Sequence, residues 1–273
     1  MPITLLSDVT EAPFVEVFIE DLVPEAATLT VYRLAAGREF QMRGAVRAAT
    51  AGAFTRIDFE VPFNTTVSYR AELFDDAGMS LGFTESASIV LNVAESWMHN
   101  PLDPTGAVRV FFADDGGWSV TRPTPGVVSR PLGRSVGVVL SEPRFGVTGT
   151  RLTVRTSGDE DADKVQEMVG GRGMPPVVCL RLGSTDQRLR LPQPFFLSTL
   201  TVTEEDMDHR WGGSELAHRI EGDEVDPPIP GLFVPLLTAA DINVSFGTAA
   251  VLNSSHLTAS DVNRRYDLAG AAG

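Results

Sequence analysis

The sequence has one cysteine, one lysine and no long apolar run in its 273 residues. A lone cysteine, Cys179, excludes an intrachain disulfide and a cysteine-based metal site. Its surroundings, PPVVCLRL, predict a small buried side chain. No apolar stretch approaches the roughly 20 residues of a transmembrane helix. The first residues, MPITLLSDVTEAPF, lack the basic start and the apolar core of a signal peptide.

Positive charge is also scarce, and the formal net charge is −14. An acidic protein repels phosphate backbones, so we expect no sequence-specific binding of nucleic acid. The same repulsion suits a wall that encloses nucleic acid without holding it. Hydrophobic residues make up 43% and charged residues 21%, which predicts a globular chain rather than a disordered one.

Short alternating segments predict an N-terminal β-sandwich over residues 1–93. In FVEVFIEDL, Val15, Val17 and Ile19 alternate with residues of the other face. Further strands are predicted in TLTVYRLA, REFQMRGAV, FTRIDFEVP, TTVSYRAELFD and ESASIVLNV. VSYRAELFDDAG resembles a late strand of a fibronectin type III-like domain, with Tyr69 pointing inward. A true immunoglobulin domain is not indicated, because the Cys…Trp…Cys pattern is missing.

Residues 94–128 read as an extended linker or arm. Prolines exclude a regular helix in WMHNPLDPTG, and more glycine and proline follow. We expect Trp97 to dock on another surface. The candidate interface and arm residues of the whole chain are Trp97, Pro101, Pro104, Trp118 and Trp211.

A second, mainly β domain with one helix is predicted over residues 129–246. Strands are expected in SVGVVLSE, GTRLTVRTS, PPVVCLRLG, QRLRLPQPFFLSTLTVTEEDM and GLFVPLLTAADINVSF. A helix near residues 159–169 has acidic residues in its first turn and Ala162, Val165, Met168 and Val169 on one face. Residues 247–273 form a small and polar C-terminal tail. The fold class is therefore mainly β, with a minor α component.

Ser135 lies in GRSVG, which matches the G-x-S-x-G pattern of a hydrolase nucleophile elbow. An elbow needs a strand before the serine and a helix after it. Here a proline-containing loop precedes Ser135 and a β-type run follows it. We therefore do not expect a catalytic serine.

Other chemical patterns are weaker still. Four carboxylates beside Trp211 suggest glycosidic cleavage or a sugar platform; these carboxylates are Glu204, Glu205, Asp206 and Asp208. A run of charged residues, however, favours a solvated face. The four histidines lack metal-site spacing; they are His99, His209, His218 and His256. GGRGM and DDGGW lack the context of a phosphate loop. We expect no enzyme activity, metal or cofactor.

The order of these pieces resembles minor tail proteins, of the distal-tail type, of long-tailed phages that infect actinobacteria. The resemblance covers about residues 29–246. Its most specific parts are the segment from Trp97 to Pro104, WMHNPLDP, and the block from Arg130 to Thr156, RPLGRSVGVVLSEPRFGVTGTRLTVRT. In the second block the fitting residues are Arg130, Pro131, Gly133, Arg134, Gly149, Thr150, Leu152, Thr153 and Thr156. It implies a β-sandwich followed by a tail-tube-like β-domain, with Ser135 at the start of a core strand.

The function implied by this resemblance is structural. Such a protein forms a ring of six copies, or three, that joins the tail tube to the baseplate and lets DNA pass. Its partners are itself, the tail tube protein and other tail-tip or baseplate proteins, with no membrane. It is made in the bacterial cytoplasm and resides in the virion. The acidic segment 204–228 departs from the family, and its role stays open.

Two other classes of function remain. One is a carbohydrate- or receptor-binding module on a phage tail or cell surface, with Trp97, Trp118 or Trp211 as its ligand platform. The other is a hydrolase that uses Ser135 or the acidic cluster. Burial of the tryptophans at interfaces favours the structural hypothesis, and their exposure favours the binding module.

Overall fold

The computed structural model describes residues 1–112, 120–170, 174–187, 190–207, 214–229, 239–255 and 262. This part of the chain is mainly β and its sheets are antiparallel, as the sequence predicts. Two units are distinguished, Met1–Leu232 and Phe233–Gly273. In the described residues, no helix is long and apolar enough to cross a membrane.

The strands of the N-terminal region are β1 (Ile3–Asp8), β2 (Phe14–Ile19), β3 (Thr28–Ala35), β4 (Arg38–Gln41), β5 (Ala48–Ala49), β6 (Phe54–Asp58), β7 (Thr66–Phe74), β8 (Ser80–Phe83) and β9 (Ala87–Val90). The following elements are β10 (Ser96–Asn100), β11 (Asp103–Phe112), β12 (Gly126–Ser129), β13 (Val138–Ser141), β14 (Thr150–Ser157), α1 (Asp159–Gly170), β15 (Val177–Arg181), β16 (Phe195–Ser198), β17 (Thr201–Asp206) and β18 (Glu215–Gly222). The second unit has α2 (Ala239–Phe246) and α3 (Ala249–Ser255).

Two sheets share one core in the N-terminal region. The first has the order β1-β2-β6, and the second has the order β4-β3-β7-β8, with β5 beside β3 and β9 beside β7. Val17 of the first sheet and Val31 and Tyr69 of the second are fully buried in this core. The alternation in the sequence predicted these inward faces correctly. Strand β1 was not predicted, because ITLLSD alternates weakly and three of its six residues are exposed on a strand at the sheet edge.

A seven-stranded sheet forms the centre of the next region, in the order β16-β15-β10-β11-β14-β18-β17. Helix α1 packs on it through Ala162, Val165 and Met168, which are buried. The predicted helix and its apolar face are therefore confirmed. The core formed by this sheet and helix α1 also includes Val154 and Phe195.

The segment 94–128 differs from the extended linker that the sequence predicts. Strands β10 and β11 are central strands of the seven-stranded sheet, and Met98 and Val108 lie in its core. Pro101 is buried in the turn between these strands, and Pro104 lies at the start of β11. Proline has no backbone N–H, so it is tolerated in a turn or at the start of a strand, where the hydrogen bonds of the strand interior are not interrupted. Two prolines thus mark a tight turn here and not a linker.

The second unit corrects another prediction. The run GLFVPLLTAADINVSF was expected to be a strand, but its last eight residues form α2; residues 230–238 lie outside the described part. Ile242 and Phe246 are both half-buried and stand four residues apart, which is helical spacing. Helix α3 lies within the segment 247–273, which was predicted to be a polar tail.

Candidate assembly interface

A hairpin arm, defined as residues 122–145, projects its own two-stranded sheet. Strands β12 and β13 pair from Gly126 with Ser141 to Ser129 with Val138. At the base, the Phe145 N–H donates to the Pro123 carbonyl at 2.9 Å. The arm is thus a regular hairpin that is closed at its root.

Glycines allow the two strands of the arm to approach closely. A Cβ on Gly137 would lie 2.5 Å from a methyl carbon of Val128, and one on Gly126 would lie 2.7 Å from the Leu140 carbonyl oxygen. At the tip, Gly133 has a φ of +87°, a conformation that favours glycine. The local sequence therefore specifies a tight hairpin.

Both faces of the arm are apolar and exposed. The neighbours Val127 and Val128 point to opposite faces, yet they are 64% and 56% exposed. The other large apolar side chains left exposed are Leu132, Val136, Val138, Val139, Leu140 and Phe145. Together they present on the order of 800 Å² of surface, about one partner's share of a standard protein interface. Monomeric proteins rarely expose so large an apolar patch, so the arm has the surface of an interaction element.

The arm is also basic in an acidic protein. It contains four arginines and one glutamate, which gives a formal charge of +3. The whole chain carries −14, so the rest of the chain carries −17. The arm and the body therefore have opposite charge.

Ser135 lies at the tip of this arm and is exposed. The expectation that it begins a core strand is wrong, since every residue of β13 is exposed and β13 pairs with β12 in a separate sheet. The serine stands in a turn between two strands and not between a strand and a helix. The geometry that activates an elbow serine is therefore missing at this position.

The predicted interface residues lie elsewhere. Trp97 is half-buried in β10 and packs against the core of the N-terminal sandwich. Pro101 is buried and Pro104 is half-buried at the turn between β10 and β11, so these residues do not form an arm. Several candidates lie outside the described residues; they are Trp118, Trp211, Asp208, His209 and His256.

The acidic run was predicted to be a solvated face at the end of the strand segment QRLRLPQPFFLSTLTVTEEDM, and it lies exposed or half-buried on an edge strand. Glu204, Glu205 and Asp206 belong to β17, the last strand of the seven-stranded sheet. Glu205 pairs with Arg219 of β18 at 2.9 Å, and Glu204 accepts a hydrogen bond from Gln166 of α1 at 2.7 Å. No glycosidase-like carboxylate pair is indicated by these contacts.

A buried charge cluster joins the sandwich to the seven-stranded sheet. Arg33 of β3 donates to both carboxylate oxygens of Asp58, at 2.6 and 2.8 Å. The Tyr69 hydroxyl donates to the same carboxylate at 2.8 Å. Glu60 lies 3.7 Å from the Arg33 guanidinium and accepts from Arg43 at 2.6 Å. Arg33 shares the alternation of Leu29 and Val31 in TLTVYRLA, but the sequence gives no indication of these partners.

Arg181 of β15 completes the junction from the other side. It donates to the Pro13 carbonyl at 2.6 Å, and its guanidinium carbon lies 4.5 Å from the centre of the Phe63 ring. Burial lowers the pKa of Arg181 to about 10. For Arg33 the cost of burial is outweighed by the carboxylates of Asp58 and Glu60, which raise its pKa. These buried charged side chains link the sandwich to the seven-stranded sheet.

His99 and Cys179 face each other across β10 and β15 beside this cluster. Burial lowers the pKa of His99 well below its usual value, and Arg181 adds to the effect. Its two ring nitrogens find no hydrogen-bond partner within the described residues. Burial raises the pKa of the Cys179 thiol, so the reactive thiolate is disfavoured. This agrees with the small buried side chain that the sequence predicts. His218 is also buried and bonds to the Thr156 hydroxyl at 3.1 Å.

The described residues contain no group of three histidine, cysteine, aspartate or glutamate side chains that could hold a metal ion. Comparison of the chain with protein-family models, with curated proteins and with solved structures finds no match in any of the three. The exposed hairpin arm is the feature of the structure that most strongly indicates a function.

Proposed function

We propose that this protein is a structural subunit that assembles into a ring through its hairpin arm, at the tip of a phage tail. The observation that carries the proposal is the arm itself, whose apolar side chains are exposed on both faces. Exposed apolar area of this size favours a partner, since its burial stabilises association by roughly 25 cal/mol per Å² before the costs of binding. A catalytic role would not explain why these apolar side chains are exposed.

The charge distribution favours contact between an arm and a different surface over contact between two arms, and the resemblance to tail-tip proteins favours a ring. A basic apolar arm does not complement a second basic arm, whereas it does complement the acidic remainder of the chain. A contact between two different surfaces is heterologous, and such contacts close into rings when the rotation between subunits allows it.

The position at a tail tip rests on the resemblance to distal-tail-type proteins. The proposed partners are the tail tube protein and other tail-tip or baseplate proteins. An acidic lumen would repel DNA phosphates and so let the genome pass without adhering. The proposed location is the virion.

The test is the mass of the purified protein by light scattering over a concentration series, with negative-stain microscopy of the largest species. We expect a closed ring of about six or three copies. The variant Leu132→Ser/Val139→Ser in the arm should shift the protein to monomer. Met79→Ser/Leu81→Ser, which changes two exposed apolar residues at and beside β8, serves as the matched control. A wild-type monomer at every concentration would contradict self-assembly.

A second candidate is a carbohydrate- or receptor-binding module, and one observation favours it. On the outer face of the sandwich, Phe83 is 49% exposed, with the Tyr32 ring centre 6.0 Å away and Arg70 above it at 4.7 Å. An exposed aromatic ring among polar groups can stack on a ligand. Glycan-array binding that is lost in Phe83→Ala would support this function, and its absence would leave the structural proposal alone.

A further inference from the structure

We propose that the hairpin arm of one copy docks on the acidic edge of the next copy, defined as residues 200–207 and 214–222. This inference rests on the proposed self-assembly and specifies its second surface. It also gives a role to most of the acidic segment that the sequence left unexplained.

Charge is the first argument for this pairing. The acidic edge has five carboxylates and one arginine, a formal charge of −4; the carboxylates are Glu204, Glu205, Asp206, Glu215 and Glu221. Arg151 of the adjacent strand β14 pairs with Glu221 at 3.0 Å and brings this surface to −3. The arm carries +3, so the two surfaces are opposite in sign. Complementary potentials of this kind steer and orient association.

Apolar contacts are the second argument. Leu200 precedes β17 and is 80% exposed, while Met207 follows it and is 44% exposed. These side chains lie at the two ends of a short strand and offer apolar contacts to the valines of the arm. The acidic edge thus has the same combination of charge and exposed apolar groups as the arm, with the opposite sign.

Backbone geometry is the third argument. Strand β17 pairs with β18 on one side and is the last strand of its sheet within the part of the chain that the structure describes. Edge strands present N–H and C=O groups that accept a further strand. Strands β12 and β13 pair only with each other in the described sheets, so each also has an outer edge. Addition of an arm strand to β17 would satisfy both edges at once.

The acceptor belongs to another copy because the arm's own root is fixed. Within one chain, Asp223 accepts from the Gly149 N–H at 2.7 Å, and Glu224 accepts from the Val147 N–H at 2.9 Å. These bonds hold the base of the arm, and its apolar residues remain exposed in the same chain. The arm is therefore directed to a surface outside its own subunit.

The experiment is a charge exchange followed by light scattering. The arm variant is Arg130→Glu/Arg134→Glu, and the edge variant is Glu204→Arg/Asp206→Arg. We expect each to raise the concentration for half-assembly at least tenfold. An equimolar mixture should form mixed assemblies in which the two variants alternate, since the intact arm meets the intact edge and the exchanged arm meets the exchanged edge. The chain with all four substitutions should assemble again, because the charges are exchanged and not lost.

The control Glu11→Arg/Glu25→Arg changes two exposed carboxylates of the sandwich region by the same total charge. It should assemble like the wild type or better. If the edge variant behaves like this control while Leu132→Ser/Val139→Ser is monomeric, the acceptor surface is wrong and self-assembly through the arm stands. If the wild type is monomeric throughout, both proposals are overturned, and the arm is left for a different protein.

Discussion

Loss of one carboxylate in the buried junction should destabilise the protein strongly. Asp58→Asn keeps the shape of the side chain but removes its charge. Asp58 accepts two hydrogen bonds from Arg33, one from the Tyr69 hydroxyl and one from the Glu60 N–H. The variant leaves the Arg33 charge buried, with Glu60 at 3.7 Å as the remaining carboxylate. Removal of one partner of such a pair costs about 3–5 kcal/mol.

A matched exposed pair calibrates this prediction. Glu39 and Arg70 form an ion pair at 2.7 Å, with side chains 42% and 35% exposed. Because solvent screens this pair, Glu39→Gln should cost less than about 1 kcal/mol. Both variants lose one carboxylate on the same sandwich, so burial is the main difference between them.

The measurement is urea unfolding at pH 7, with the change in midpoint converted through a common m-value. A further variant, Arg33→Met/Asp58→Leu/Tyr69→Phe, should recover most of the loss, since replacing a buried pair by apolar groups is often neutral. The third change removes the Tyr69 hydroxyl, which would otherwise lose its acceptor. If Asp58→Asn falls within about 1 kcal/mol of Glu39→Gln, the junction is not held by this ion pair and the reasoning is refuted.

Three further predictions concern the pH dependence of stability, the cost of substituting one glycine and the first site of proteolysis. His99 has a lowered pKa in the folded protein, so the unfolded chain binds the extra proton below about pH 6.5, and stability must fall as the pH drops. Between pH 7 and 5 the wild type should lose about 2 kcal/mol more than His99→Leu, and parallel unfolding midpoints would contradict this. Gly183→Ala should cost about 1–3 kcal/mol by thermal melting, because its new Cβ would overlap the backbone just before β10. Gly106→Ala, whose Cβ has room at 3.4 Å, should cost clearly less. Brief trypsin treatment should cut first after Arg134 at the exposed arm tip and give two nearly equal fragments. Assembly should slow this cut, and equal rates in monomer and assembly would place the arm outside the interface.

Alternation of apolar and polar residues predicted the parts of the fold where one face is buried. It placed Val15 and Tyr69 inward and located α1 from the spacing of its apolar face. At VVLS in β13 the sequence predicted the strand but not its exposure, because a continuous apolar run is equally consistent with a core strand and with an exposed interface. Sequence alone does not distinguish these cases, since the partner that covers the run is not part of the chain's own pattern.

The junction was predictable only in part. Arg33 lies in the alternating pattern of β3, but Asp58 lies 25 residues away on another sheet, and Arg181 approaches from a third. Partners brought together by tertiary packing leave no signal at a fixed spacing. The prolines of the region 94–128 misled in the opposite direction, because a proline excludes a helix without distinguishing a linker from a turn between strands.

The order of strands along the chain also sets an order in time during synthesis. The last strand of the sandwich, β9, is complete at Val90, whereas the seven-stranded sheet needs β18, which ends at Gly222. Arg33, Asp58 and Glu60 can therefore pair on the ribosome well before Arg181 is translated, since domains form as their residues emerge. We expect nascent chains stalled near residue 150 to protect the sandwich from protease and leave β10 and β11 open to it. During that interval β10 and β11 pair with each other, but their outer edges lack β15 and β14, which cover them in the finished sheet. The nascent chain must keep these open edges from pairing with other chains.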